Sequence, residues 1–316
     1  MSSMIQESTS HRLVTNVVDA EGLRKTYGEV VAVDNISFQV RKGELFGLLG
    51  PNGAGKTSTI RMLYGFSTMT AGSLRVMGMD VRTDWRAIRA RIGVCHQENN
   101  VDPDLSVREN LVVFAKYFGL PGHVADEKID NILKFMGLEN RSKSAVMELS
   151  GGMMRRLILA RAFMNDPEFA ILDEPTTGLD PQARQLVWER LAELKKKGAT
   201  ILLTTHYMEE AARLCDRLII VDHGRILAEG TPRDLVHKHV GRHVIESSPV
   251  SDGLRSFVKE RGLEFEDHGS RILIYCRDDE PPFQEINRRF CQENCILRTA
   301  SLEDVFLRLT GRDLRE

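Results

Sequence analysis

Eight consecutive residues, 50–57, constrain this chain more than any other part of its sequence. They fit the complete pattern G-x-x-x-x-G-K-[ST], in which glycines let successive backbone N–H groups turn inward on phosphate groups. An apolar run at residues 45–49 predicts a strand before the pattern, and helical spacing follows over residues 58–64. A glycine-rich turn with a surface lysine would not need this strand-to-helix setting, so we predict a nucleotide-binding loop.

Different parts of this loop are predicted to contribute different interactions with the nucleotide. Lys56 places a point charge between the terminal phosphates, and Thr57 supplies a hydroxyl to Mg²⁺. The N-terminus of the following helix adds the positive end of its dipole. The predicted nucleotide-binding residues of the loop are Gly50, Pro51, Asn52, Gly53, Ala54, Gly55, Lys56 and Thr57.

Short apolar runs alternate with helical patterns from about residue 17 to residue 229, which is typical of an α/β domain with a largely parallel sheet. The runs at 45–49, 169–172 and 200–204 are continuous enough to be central strands covered on both faces. Ligands bind at the C-terminal ends of such strands, so we expect the three junctions that follow to converge on one site.

The remaining segments predict a domain order. Residues 1–16 form a polar tail, residues 17–236 the nucleotide-binding domain, and residues 98–165 a helical lobe inserted into it. Residues 237–316 predict a small α+β accessory domain, with strands near 272–275 and 295–297 and helices near 283–290 and 302–309. The predicted fold class is therefore α/β, a mixed sheet with an inserted helical lobe and a C-terminal α+β appendage.

Composition limits the partners and the compartment. The 316 residues hold 43 Lys and Arg against 45 Asp and Glu, a net charge of -2, so we expect no nucleic acid as main partner. Five scattered cysteines favour reduced thiols in the cytosol over a disulfide framework. Since no run approaches the ~18 apolar residues that cross a bilayer, we expect any membrane role to require a partner.

Two adjacent acids follow the apolar run 169–172. Burying the carboxylates of Asp173 and Glu174 would cost free energy unless they faced a metal, water or phosphate site. We predict that Asp173 orients Mg²⁺ through its water shell and that Glu174 is the general base that polarises the attacking water. The alternative, a surface strand end with two solvated acids, does not fit the apolar run.

A second surface suited to phosphate begins at residue 149. The sequence Leu-Ser-Gly-Gly precedes an amphipathic helix, so Ser150 and the free N–H groups of the helix start can face an anion. At this point the chain resembles the ATP-binding cassette (ABC) family, whose signature is LSGG followed by Gln. The phosphate-binding loop (P-loop), the signature and the paired acids follow one another in the order typical of that family.

The resemblance implies ATP as the nucleotide and adds four site residues. Tyr27 matches the aromatic that stacks on adenine, and Gln97 matches the glutamine that senses the metal and the attacking water. Asp180 matches the dimer-contact loop, and His206 matches the histidine that holds the γ-phosphate. Each of the four alone has an ordinary alternative, namely a packing aromatic, a solvated amide, a helix cap and a satisfied histidine. Seven motifs in one order outweigh these alternatives. Met153 departs from the family's glutamine, which marks a subfamily.

The resemblance also implies an assembly. Ser150 would complete the ATP site of a twin subunit, so hydrolysis requires a homodimer, and the dimer drives a separate integral membrane permease. Residues 178–181, 188–191 and 203–211 and the stretch 302–312 are similar to the drug-resistance and NodI branch of exporter ATPases. This branch implies a NodJ-like permease, a peripheral location on the cytoplasmic face of the inner membrane, and a lipo-oligosaccharide, glycan or drug-like cargo. The alternative is a soluble ABC switch on ribosomes or DNA.

Overall fold

The structure is a computed structural model that describes residues 16–98, 100–277, 282–290 and 295–311. The predicted tail lies outside this part except for its last residue. The strands of the described residues are β1 (Asn16–Tyr27), β2 (Val30–Arg41), β3 (Leu45–Leu49), β4 (Ala71–Val76), β5 (Met79–Asp80), β6 (Ile92–Cys95), β7 (Phe169–Asp173), β8 (Thr200–Thr205), β9 (Arg217–Asp222), β10 (Arg225–Gly230), β11 (His243–Ser247), β12 (Glu264–Asp267), β13 (Ile272–Cys276) and β14 (Cys295–Thr299).

The helices confirm the helical segments expected from sequence spacing. They are α1 (Lys56–Leu63), α2 (Trp85–Arg91), α3 (Val107–Tyr117), α4 (Gly122–Phe135), α5 (Gly151–Ala162), α6 (Pro181–Lys196), α7 (Met208–Leu214), α8 (Pro232–His239), α9 (Asp252–Glu260), α10 (Phe283–Phe290) and α11 (Leu302–Thr310). None of these helices has the length and apolar character that a bilayer crossing requires.

A six-stranded sheet in the order β10-β9-β3-β8-β7-β6 forms the centre of the molecule. Its pairs are parallel except β10 with β9. Every residue of β3, β7 and β8 is buried, because alternate side chains enter two different cores. In β3, Leu45 and Leu49 belong to one core, and Phe46 and Leu48 belong to the other. The three expected central strands are therefore confirmed.

The two faces of the central sheet have different covers. An antiparallel sheet in the order β2-β1-β4-β5 packs over one face, and Ile60, Met62 and Leu63 of α1 contribute to the core beneath it. Helices α5, α6 and α7 contribute to the core on the opposite face. This arrangement places the start of α1 at the C-terminal edge of the central strands.

The helical lobe consists of α3, α4 and α5. A capping box between Ser106 and Glu109 starts α3, because each residue's side chain accepts a hydrogen bond from the other's backbone N–H. Helix α5 approaches β6 so closely that a Cβ atom at Gly93 would lie 1.8 Å from the Ala162 carbonyl oxygen. The lobe is therefore in direct contact with the strand that leads to Gln97.

The C-terminal region contains an antiparallel sheet in the order β12-β13-β11-β14. One face packs against α9 and α10 in a separate small core that includes Leu254, Phe257 and Ile286. Val244 and Tyr275, on the other face, join the main core together with Phe306 of α11. Helix α11 contacts α7 and α8, so it packs the appendage onto the nucleotide-binding region. The predicted division at residues 236 and 237 stays a prediction.

The cysteines differ in part from the expectation of reduced thiols. Cys95, Cys215 and Cys276 are free and buried, and burial raises the pKa of the Cys95 and Cys215 thiols. Cys295 is disulfide-bonded, so the expectation is wrong at that position; Cys291 lies outside the described residues. An odd number of cysteines requires only one unpaired thiol, so the count could not exclude a single disulfide bond.

Candidate active site

Close backbone packing shapes the loop between β3 and α1. A Cβ atom at Gly50 would lie 2.3 Å from the Val221 carbonyl oxygen, and one at Gly55 would lie 2.3 Å from the Ala32 carbonyl oxygen. Gly55 also adopts a left-handed conformation with φ of 99° as the N-cap of α1. Only glycine fits these two positions, which explains their place in the sequence pattern.

Lys56 is only 5% exposed and lies beneath its own loop. Its Nζ atom donates to the Gly50 carbonyl oxygen at 2.8 Å and the Pro51 carbonyl oxygen at 3.1 Å. The same Nζ lies 3.1 Å from Oε1 of Glu174. The loop lysine and the acid after β7 therefore meet in a nearly dry environment.

Asp173 ends β7 between two hydroxyl groups. Thr204 Oγ1 donates to its Oδ1 at 2.6 Å, and Thr57 Oγ1 donates to its Oδ2 at 3.4 Å. Burial raises the pKa of the Asp173 carboxyl, the nearby charge of Glu174 raises it further, and the Thr204 hydrogen bond opposes both. The Thr57 hydroxyl and a carboxylate oxygen converge here, and such hard oxygen ligands fit the chemistry of Mg²⁺.

Glu174 has the most contacts in the site and is 6% exposed. Its backbone has φ of +46°, and its N–H donates to the Thr204 Oγ1 at 3.0 Å. Positive φ is uncommon for a residue with a side chain and occurs often at functional sites. Thr204 of β8, whose carbonyl oxygen accepts from the same N–H at 3.1 Å, thus holds Glu174 in a conformation that directs its carboxylate toward Lys56.

Three further side chains reach the second oxygen of this carboxylate. Gln97 Nε2 donates to Oε2 of Glu174 at 3.4 Å, and Thr177 Oγ1 donates to it at 3.1 Å. His206 Nδ1 lies 3.2 Å from Oε2, without the alignment of a hydrogen bond. Burial alone would raise the pKa of Glu174, but Lys56 and His206 together outweigh it and hold the pKa below its ordinary value.

The expected convergence of the three strand ends is confirmed. Residues after β3, β7 and β8 meet at Glu174, and Gln97, which follows β6, joins them. The sequence pattern did not indicate Thr177 or Thr204. The available signal was the pair of threonines that ends β8, Thr204 and Thr205, since β8 lies beside β7 in parallel register.

Three predicted residues have local contacts instead. Ser150 is the N-cap of α5, with its Oγ accepting from Met153 N at 3.3 Å, and Asp180 caps α6 by accepting from Ala183 N at 2.9 Å. Tyr27 is half-exposed at the end of β1. For Asp180 this cap is the ordinary alternative that the sequence left open.

Two family models match the chain. One, described as ABC transporter, matches residues 33–177, and the other, the C-terminal domain of the nodulation factor export protein NodI, matches residues 253–311. The chain is 46% identical over 308 residues to the Nod factor export ATP-binding protein I of Ralstonia nicotianae, covering 96% of each chain. It is 49% identical over 300 residues to the protein of the same name from Burkholderia thailandensis, covering 95% of this chain and 98% of that one.

The chain belongs to the Nod factor export ATP-binding protein I family of ABC transporters. Solved structures agree with this membership. An ATP-binding subunit of an ABC transporter matches with a TM-score of 0.64 and 31% identity, covering 70% of this chain and 92% of that one. The cbiO1 protein of Clostridium perfringens, part of the transporter complex cbiONQ, matches with a TM-score of 0.65 and 27% identity, covering 70% and 90%.

Membership in this NodI family confirms two predictions made from the sequence. The fold is the α/β ABC ATPase cassette. The chain is the ATP-binding subunit of an ABC transporter, an ATPase coupled to transport.

We expect the Thr204 hydroxyl to stabilise the two site acids. Thr204→Val keeps the shape of the side chain but removes the donor to Asp173 and one acceptor for the Glu174 N–H, both buried. The free energy of unfolding, measured with urea, should fall by about 1–3 kcal/mol. Thr204→Ser, which retains the hydroxyl, is the matched control and should cost less. Equal losses in the two variants would contradict the assigned hydrogen bonds.

Proposed function

We propose that two copies of this chain clamp two ATP molecules between them and drive a separate membrane permease. The observation that carries the proposal is the Glu174 carboxylate, which Lys56, Gln97 and His206 approach from three other parts of the chain. A buried carboxylate with a lowered pKa is ionised at neutral pH, which is the state that a general base requires. Glu174 accordingly accepts a proton from the water that attacks the γ-phosphate.

The other residues bind and orient ATP in this proposal. Lys56 and the backbone N–H groups of residues 50–57 hold the phosphates, and His206 contacts the γ-phosphate. Gln97 orients the attacking water, and Tyr27 stacks on the adenine. Thr57 would supply a hydroxyl to Mg²⁺ and Asp173 would orient the ion through its water shell; Mg²⁺ when bound neutralises charge on the phosphate oxygens.

The proposed dimer follows from the presence of two phosphate-binding surfaces on one chain. One is the start of α1, and the other is the start of α5, where the Ser150 cap leaves helix N–H groups at an exposed position. We assign Ser150 to the ATP held by the partner's loop, with Asp180 at the contact between the copies. A related cassette, MJ0796, supports this: its structure is described as a dimeric post-hydrolysis state bound to ADP and Pi, with a TM-score of 0.63, 25% identity and coverage of 68% and 98%.

The names of the relatives support an export function for this chain. They are named Nod factor export ATP-binding proteins, and residues 253–311 match the family model of the NodI C-terminal domain. We propose a lipo-oligosaccharide or related amphiphilic cargo, a NodJ-like permease as partner, and the cytoplasmic face of the inner membrane as location. The alternative of a ribosome- or DNA-bound switch gains no support from a net charge of -2.

Glu174→Gln should keep the shape of the side chain but remove the base. We expect ATP turnover to fall about a hundred-fold or more. With ATP, the variant should elute as a dimer of twice the 35.7 kDa chain mass by light scattering. Glu168→Gln, at the opposite end of β7 in an exposed pair with Arg91, is the control and should hydrolyse ATP normally. A monomer at every concentration, or normal turnover in Glu174→Gln, would overturn the proposal.

Mixing two inactive variants tests whether each site uses both copies. Lys56→Ala disables the loop, and Ser150→Arg blocks the start of α5, so each variant alone should be inactive. A mixed dimer contains one site built from an intact loop and an intact α5. ATPase activity should therefore rise on mixing, in proportion to the mixed-dimer fraction. If mixing restores no activity although mixed dimers form, the two surfaces do not share a nucleotide.

Cell fractionation separates the exporter from the soluble alternative. The chain should sediment with membranes when it is co-expressed with a NodJ-like permease, and should stay in the supernatant with an unrelated permease. Sedimentation with ribosomes, or no dependence on the permease, would favour the soluble switch.

A further inference from the structure

Arg155 is a buried cation in the second turn of α5. It is 4% exposed, and every partner of its guanidinium is a backbone carbonyl oxygen. Nη2 donates to Asp173 at 2.8 Å and to Glu174 at 2.9 Å, and Nε donates to Pro175 at 2.6 Å. Three consecutive carbonyl oxygens, from the last residue of β7 onward, are thus held by one side chain.

The same guanidinium also reaches the segment after β6. Nη1 donates to the His96 carbonyl oxygen at 2.6 Å and to the Gln97 carbonyl oxygen at 3.3 Å. Arg155 therefore joins the backbone of two residues whose side chains meet, Glu174 and Gln97. Only a planar fork with five N–H groups can reach both segments, since a lysine ammonium is a single point.

Arg156, the next residue, has a different environment. Its Nη1 donates to the Met136 carbonyl oxygen at 2.7 Å and to the Gly137 carbonyl oxygen at 3.3 Å, just after α4. These contacts lie within the helical lobe. The two adjacent arginines thus have the same chemistry and the same helix, but only Arg155 contacts the segments that carry the reacting groups.

We propose that Arg155 is a positioning residue that couples the start of α5 to the chain's own Glu174 and Gln97. This inference rests on the proposed function, in which Ser150 at the start of α5 contacts the partner's ATP. A shift of α5 on binding that ATP moves the guanidinium, and with it the carbonyls on both sides of the base. Arg155 thereby makes hydrolysis at one site faster when the other site also holds ATP.

The physical reason is the precision that hydrolysis requires. Glu174 and Gln97 must both face one water molecule, and a misplacement of about 1 Å can cost about a hundred-fold in rate. The parallel pairing of β6 with β7 extends only to Cys95 and Leu172, so the sheet hydrogen bonds do not hold the segments beyond, which carry Gln97 and Glu174. Arg155 supplies that link, because its guanidinium binds carbonyl oxygens of both segments.

The test compares Arg155→Lys with Arg156→Lys in the full-length chain. Arg155→Lys keeps the charge but can bridge only one segment, so kcat should fall about ten- to a hundred-fold with KM for ATP nearly unchanged. The dependence of rate on ATP concentration should also lose its cooperativity. Arg156→Lys should change neither quantity. Arg155→Lys should melt at a lower temperature, because buried carbonyl oxygens lose their donors, but it should stay folded at the assay temperature.

A second measurement keeps the conclusion independent of stability. In the Glu174→Gln background, Arg155→Lys should still form the ATP-dependent dimer, because the surfaces that bind ATP are intact. If dimer formation falls as much as kcat, Arg155 merely holds α5 in place and the inference is wrong. An unchanged kcat in Arg155→Lys also overturns it while leaving the proposed function standing. A wild-type chain that never hydrolyses ATP would overturn both.

Discussion

The buried contact between Lys56 and Glu174 is the interaction on which the rest of the site depends. Taking two charges out of water costs several kcal/mol per ion, and their attraction offsets this only when further hydrogen bonds satisfy the remaining atoms. The Gly50 and Pro51 carbonyls provide them for Lys56, and Gln97 and Thr177 provide them for Glu174. A packed apolar cluster would stabilise the fold with a smaller desolvation penalty. The buried charges are therefore explained by their role in binding and hydrolysing a phosphate group.

The architecture supports this contact from both faces of one sheet. The strands β3, β7 and β8 are buried throughout, and such strands do not slip against their neighbours without exposing apolar side chains. Their fixed register sets the separation of the loops at their C-terminal ends. Arg155 then joins the segment at the end of β7 and the segment after β6 to α5, so the surface that we assign to the partner's ATP is mechanically continuous with the base.

Much of the fold was predictable because its signals are local. The apolar runs of β3, β7 and β8 and the helical spacing of α3 and α4 each lie within one short window. Most site residues were also predictable, because the loop pattern and the order of the family motifs are linear features. Cys295 was not, because cysteine counting does not show which thiols come close.

The sequence by itself determined the nucleotide-binding loop, the paired acids and the family, since each depends on residue type at fixed spacing. Only the tertiary structure decided the partners of those residues. Thr204 is 31 positions from Asp173, and Arg155 is 19 positions from Glu174, yet sheet register and helix packing bring them into hydrogen-bond distance. Spacing along the chain does not predict such contacts, because they arise from the way that separate elements pack together.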